Sequence, residues 1–85
     1  MPPPLEAHVT RWSQDPFACG AYSFVAAGAT PDDRVALATP LGRSVFFAGE
    51  ATHTGYPSTV HGAYLSGIAA AKAVRRAARA GRRAA

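Results

Sequence analysis

The chain has 85 residues and is 48% hydrophobic, but 20 of its residues are alanine and only 17 are Val, Ile, Leu, Met, Phe or Trp. A domain this small buries only about 60–65% of its unfolded surface, so the core these residues build alone is thin. One cysteine excludes an internal disulfide, and no His/Cys cluster has structural-zinc spacing; a disulfide-rich or zinc-stabilised module is excluded, and a self-sufficient enzyme is not expected.

The net charge of +4 is unevenly placed. Lys72, Arg75, Arg76, Arg79, Arg82 and Arg83 fall in the last 14 positions with no acid among them. Elsewhere Arg11, Arg34 and Arg43 face Glu6, Asp15, Asp32, Asp33 and Glu50, so the body is slightly acidic. The basic end lacks interleaved aromatics, so it is expected to be a solvated helix face, and nucleic acid is not expected as a partner. No apolar run approaches the ~20 residues that span a bilayer. Met1-Pro2-Pro3-Pro4 lacks the basic and apolar regions of a signal peptide, so a cytoplasmic location without membrane contact is the expectation.

In chain order, residues 1–9 read as an extended, proline-led lead-in, because consecutive prolines fit neither a helix interior nor a central strand. Residues 10–19 read as loop, with a turn at Asp15-Pro16. Ala21 to Val25 is a short β-prone run with Tyr22 and Phe24 on one face. Thr30-Pro31-Asp32-Asp33 predicts a helix start, Thr30 capping and Pro31 at the first helical position, with a short helix near 31–37. Thr39-Pro40-Leu41-Gly42 ends it. Ser44-Val45-Phe46-Phe47-Ala48-Gly49 is the clearest strand signal, an apolar run of the kind buried on both faces. Residues 50–58 form a polar loop. A long helix is predicted over about 59–79, its stripe formed by Val60, Tyr64, Gly67, Ile68, Ala71 and Val74. Ser58 or Thr59 caps it, arginines suit its C-terminal dipole, and Gly81 stops it. No internal repeat is present.

The informative unit is strand, Gly-Glu loop and helix, from Val45 to Gly67. Such a unit presents backbone N–H groups to an anion or a polar ligand edge. Ala48, Gly49 and Ala51 leave the backbone open to close approach. Gly62, Ala63, Ser66 and Gly67 make one helix face small, which serves packing against another helix, a sheet or a flat cofactor equally well. On the residues alone, tight packing is the commoner reading.

Phe46-Phe47-Ala48-Gly49-Glu50-Ala51-Thr52, followed by Tyr56-Pro57-Ser58-Thr59-Val60-His61-Gly62-Ala63-Tyr64-Leu65-Ser66-Gly67, resembles the C-terminal end of the flavin-containing amine oxidases. That family includes monoamine and polyamine oxidases, flavin-dependent histone demethylases and L-amino-acid oxidases, and the resemblance is closer to its polyamine-oxidase-like members than to the monoamine oxidases. Trp12, Asp15-Pro16 and Gly20-Ala21-Tyr22-Ser23 match upstream in the same order, so the resemblance covers roughly residues 10–79. A combined motif of this length is far more specific than a lone glycine fingerprint.

The resemblance implies an α/β fold: a fragment of a FAD-binding Rossmann-like fold, its last strand plus long C-terminal helix, with a piece of the substrate domain. It assigns residues 10–43 to the substrate-domain segment, 44–79 to the FAD-binding strand-loop-helix and 80–85 to a basic tail. Gly49 and Glu50 would lie against the FAD ribityl and diphosphate region, Glu50 accepting hydrogen bonds from ribityl hydroxyls or orienting nearby donors. Thr59 and Val60 would begin the helix whose N-terminus points at the flavin pyrimidine edge, where the Val60 N–H stabilises negative charge. Tyr22 would flank the substrate amine with its π face. Thr59 would also lie on the substrate side, at the place from which a second aromatic faces the tyrosine in some relatives; with threonine there, a two-ring cage is not implied.

No residue of this chain is assigned a catalytic role or a metal. His61 reads as a packing or hydrogen-bonding residue and His53 as polar surface. Trp12 reads as a core or interface anchor. Monoamine oxidases attach FAD through a cysteine immediately before the matching tyrosine; Ala21 stands there, and Cys19 is displaced, so noncovalent FAD is implied. The G-x-G-x-x-G unit that opens FAD binding in the family is absent from these residues, as is the lysine many relatives place near the flavin. The implied function is the C-terminal part of a flavin-dependent amine oxidase, inactive as an isolated chain. The alternative is a nonenzymatic remnant or interaction fragment that folds only with a partner carrying the N-terminal FAD-binding half. A small nucleic-acid-binding protein ranks last.

Overall fold

The computed structural model describes the backbone of residues 1–84 and the side chains of residues 1–82. Two α-helices stand out, α1 at Asp32–Ala38 and α2 at Val60–Ala84, with short 3-10 turns at Trp12–Gln14 and Glu50–Thr52. No helix among the described residues is long and apolar enough to cross a membrane.

Helix α1 forms where its start signals place it. Pro31 already has helical dihedrals (φ −57°, ψ −22°), and Asp32 and Asp33 occupy the first turn, where the dipole favours acids. The cap is corrected in one respect: the Thr30 side chain makes no capping bond. Instead the Thr30 N–H donates to the Asp33 carboxylate at 3.0 Å, which is the returning half of a capping box. At the other end the Thr39 hydroxyl donates to the Val35 carbonyl at 2.9 Å, and Pro40 prevents continuation.

Helix α2 begins as expected and ends later. Thr59 is its cap, accepting the Gly62 N–H on its hydroxyl at 2.9 Å. The predicted stop at Gly81 does not hold, for α2 continues to Ala84. An interior glycine costs only about 1 kcal/mol against alanine, and the surrounding alanines and arginines are strong helix formers.

The predicted strands are also corrected. Among the described residues there is no strand, only an isolated antiparallel bridge between Leu41 and Val45. It closes a tight turn around Gly42, whose φ of 60° suits glycine, with backbone bonds of 3.0 and 3.4 Å. Residues 46–48 make no backbone–backbone hydrogen bond among the described residues. A strand exists only as part of a ladder, and no neighbouring strand is present among the described residues to complete one for residues 44–49. Residues 21–25 fail for a local reason as well: the Ser23 N–H is bound to a carboxylate, not to a sheet partner.

The consequence is that the described residues hold no apolar core. No apolar side chain is buried among the described residues, and the buried polar ones are Arg34 and Ser66. The accessible surface is 7302 Å², against about 4,800 Å² for a compact monomer of this mass. The radius of gyration is 18.4 Å, against about 12 Å for a compact domain of this length. Phe24, Phe47, Val60, Tyr64 and Ile68 all face solvent, so these surfaces lack the cover that apolar side chains need. Small-angle scattering on the isolated chain is therefore expected to give a radius well above ~12 Å together with strong binding of a hydrophobic dye. A compact monomer that ignores the dye would contradict this reading.

Candidate functional site

In place of a core, the centre of the molecule holds a polar knot that ties three sequence-distant segments together. Glu50 opens the 3-10 turn that follows Gly49. Gly49 has φ 147°, a conformation that side chains disfavour, and nothing lies within 4 Å of where its Cβ would be. The Gly49 N–H donates to the Ser66 hydroxyl at 2.8 Å, and that hydroxyl donates to the Ala63 carbonyl at 2.7 Å. Ser66, one turn and a half into α2, thus holds the Gly49 backbone against the helix.

The Glu50 carboxylate receives three hydrogen bonds: from the Ser23 N–H at 2.7 Å, the Ser23 hydroxyl at 2.6 Å and the Ser58 N–H at 2.8 Å. Ser58 returns a bond from its own hydroxyl to the Ser23 carbonyl. Arg34, 9% exposed, donates to the Ser23 hydroxyl at 2.7 Å and to the Ala51 carbonyl at 3.2 Å, and stands 4.0 Å from Glu50. The Ser23 hydroxyl is therefore a relay, accepting from the guanidinium and donating to the carboxylate. That donated bond is the largest influence holding the Glu50 carboxyl below its ordinary value; partial burial opposes it, and the Ser23 and Ser58 amides and Arg34 reinforce it.

Ser58 sits in the left-handed region at φ 64°, at a cost of about 1–2 kcal/mol. Its amide bond to Glu50 and its hydroxyl bond to Ser23 hold it there, which turns the chain sharply into the first turn of α2. Thr59 then uses its hydroxyl twice, accepting from Gly62 and donating to the Tyr56 carbonyl at 2.6 Å. Gly62 is buried against that carbonyl: a Cβ there would lie 1.9 Å from the Tyr56 oxygen.

The loop between is braced by aromatic contacts. The His53 ring accepts the Tyr56 N–H on Nδ1 at 2.8 Å and stacks on the Tyr56 ring at 5.7 Å. His61 also packs on the Tyr56 ring, with centroids 4.7 Å apart and the rings tilted by 57°. His61 is the packing residue the sequence suggests. His53 is more than polar surface, because it fixes the turn that returns the loop to α2.

The knot brings Gly49, Glu50 and Thr59 close to one another around the start of α2. Val60 is 88% exposed at the first position of α2, and no hydrogen-bond partner for its N–H is found among the described residues. Tyr22 is 72% exposed and makes no ring contact among the described residues. Sequence reasoning overlooked the roles of Ser23, Arg34 and Ser66. One signal was available: Glu50 is the only acid after Asp33, so the buried partner for Arg34 had few candidates. No grouping of three or more metal-ligating side chains occurs among the described residues.

A loop pinned beneath the N-terminus of a long helix, with an open glycine and an unpartnered amide at its rim, is the kind of corner that receives an anionic or polar ligand edge. The family model for flavin-containing amine oxidoreductases matches residues 1–75, and the chain belongs to that family. It is 50% identical over 80 residues to "Lysine-specific histone demethylase 1 homolog 1" of Arabidopsis thaliana, covering 93% of this chain and 10% of that protein. It is 53% identical over 74 residues to "Histone demethylase-like protein A" of Aspergillus fumigatus, covering 87% of this chain and 7% of that protein. With "Protein FLOWERING LOCUS D" of Arabidopsis thaliana the identity is 51% over 69 residues, 80% of this chain and 9% of that protein. The chain thus spans about a tenth of the length of these relatives.

The family is flavin-containing, and the residues present fit one side of such a group. The open face of Gly49 admits a close neighbour, and the exposed start of α2 offers a donor with dipole support. Glu50 fits in a narrower sense than the sequence implied. Three of its roughly four acceptor positions are used inside the chain, which leaves one for a hydroxyl from outside.

Proposed function

We propose that this chain supplies the C-terminal wall of an FAD-dependent amine oxidase site. Residues 44–79 form the cofactor side and residues 10–43 a piece of the substrate side. The observation that carries this is the knot itself: it spends a buried arginine, a carboxylate and three serines on fixing Gly49 beneath the start of α2, with no apolar core among the described residues to benefit.

In this reading Gly49, Glu50, Thr59 and Val60 hold FAD noncovalently. When bound, FAD would supply the redox chemistry, a two-electron oxidation of the carbon beside the amine nitrogen with oxygen as the final oxidant. Val60 donates its N–H, backed by the dipole of α2, toward negative charge at the rim. Thr59 acts through its cap, which orients that N–H, more than as a substrate contact. Tyr22 excludes water and offers a π face to the amine. Glu50 keeps the loop in register and offers its remaining lone pair to a ribityl hydroxyl. The names of the relatives favour an N-methylated lysine amine as the substrate class.

Residues 44–49, which form no strand here, would become one in a Rossmann-like sheet only when the half carrying the glycine-rich unit lies beside them. The exposed apolar surfaces favour the same requirement, so the chain acts together with that half. The test is gel filtration with FAD, run on this chain alone and mixed with the glycine-fingerprint half of a relative. Flavin absorbance should co-elute only with the mixture, and the chain alone should form no peroxide with an N-methylated lysine peptide. Peroxide from the chain alone, or a mixture that elutes without flavin, would refute the proposal.

A further inference from the structure

We infer that the C-terminal half of α2 is a binding surface for the phosphate backbone of duplex nucleic acid. The sequence alone made Lys72, Arg75, Arg76 and Arg79 a solvated helix face and residues 80–85 a basic tail. The structure continues α2 past residue 79, so Arg82 joins the same helical row. Lys72, Arg75, Arg76, Arg79 and Arg82 fall within about 120° of the helix circumference and span about 15 Å of its axis. All five are exposed. Lys72, Arg75, Arg76 and Arg79 line one shallow depression of about 200 Å³. No acidic residue follows Glu50 in the sequence, so nothing on the helix neutralises them.

Between Lys72 and Arg82 the remaining positions are Ala73, Val74, Ala77, Ala78, Ala80 and Gly81. That composition decides the class of partner. A helix that enters a lipid surface needs large apolar anchors opposite its cations, and here Val74 stands alone among small residues. Single-stranded nucleic acid is held by stacking on aromatics, and this half has none. Four of the five cations are arginine, whose planar fork matches phosphate oxygens. A rigid row of forks on one face suits the regular phosphates of a duplex, without sequence preference.

The test is fluorescence anisotropy of the full chain with a labelled duplex over a range of salt, beside a variant carrying K72Q, R75Q, R76Q and R79Q. Glutamine keeps the helix propensity, and circular dichroism confirms that α2 persists in both. With about four to five phosphates neutralised, log K should fall with log salt at a slope near −4, a loss of roughly 10²-fold for a fourfold rise in salt. The variant should bind at least 30-fold more weakly at low salt, with a slope no steeper than about −2, the limit set by the two arginines it keeps in this half. Equal binding by the variant would overturn the proposal. So would tighter binding to anionic vesicles or polyglutamate than to the duplex.

Discussion

Replacing Glu50 with glutamine is expected to loosen the central knot by about 2–4 kcal/mol, because hydrogen bonds to a charged group are worth about 1.5–3 kcal/mol each. Glutamine has one accepting oxygen and one donating nitrogen. It cannot accept from the Ser23 amide, the Ser23 hydroxyl and the Ser58 amide in the present arrangement, and it leaves the buried Arg34 without a counter-charge. Hydrogen exchange at the Ser23 and Ser58 amides reads this directly, and both should lose at least tenfold in protection. The comparison variant is Glu6→Gln, whose partner is the exposed His8; it should change neither amide.

The same carboxylate predicts an acid dependence with a definite sign. Its folded-state pKa is depressed, so its contribution is fully present above the ordinary glutamate value of 4.5. That contribution is lost as pH falls through the lowered folded value. Amide chemical shifts at Ser23 and Ser58 should therefore stay constant near neutral pH and move only in acid below that ordinary value. In the glutamine variant the acid transition should be absent.

Replacing Gly62 with alanine is expected to be comparably severe, although alanine is the better helix former. The new Cβ would lie 1.9 Å from the Tyr56 carbonyl oxygen and 2.8 Å from the Thr59 hydroxyl. That carbonyl accepts the Thr59 hydroxyl, and the hydroxyl caps α2, so moving either one undoes the start of the helix. Overpacking of about 1–3 kcal/mol adds to a lost cap of about 1 kcal/mol. Gly67 is the control: nothing lies within 4 Å of its Cβ position, and Gly67→Ala should raise helicity by up to ~1 kcal/mol. Circular dichroism should thus separate the two, G62A lowering the helix signal and G67A raising it. Similar behaviour of both would remove the steric account of the Gly62 turn.

What was legible in the sequence is what depends on neighbours a few residues away. Thr30 to Asp33 start α1, and Thr59 caps α2, because caps and dipoles act within one turn. The strand at 44–49 was not realised, because its apolar run reports a burial that only absent ladder partners can provide. Gly62 and Ser66 were read as a merely small face, yet one makes room for a carbonyl and the other bridges two backbone groups. Smallness is visible in a sequence; the group that needs the space is not. Gly49 and Glu50 were legible as a pair, but the three donors on Glu50 come from Ser23 and Ser58, 27 and 8 residues away. Of the six basic residues near the C-terminus, Arg83 lies outside the described side chains.

The proposal rests on the first turn of α2 facing the flavin through the Val60 amide, and proline at that position isolates that amide. Proline suits the first helical position, so Val60→Pro removes the N–H while leaving the helix intact. In the chain reassembled with the glycine-fingerprint half and FAD, the variant should keep its helix signal and its flavin. Its flavin reduction potential should fall by ~30 mV or more, the equivalent of a tenfold change for a two-electron couple. An unchanged potential, with helix and flavin both retained, would contradict the account.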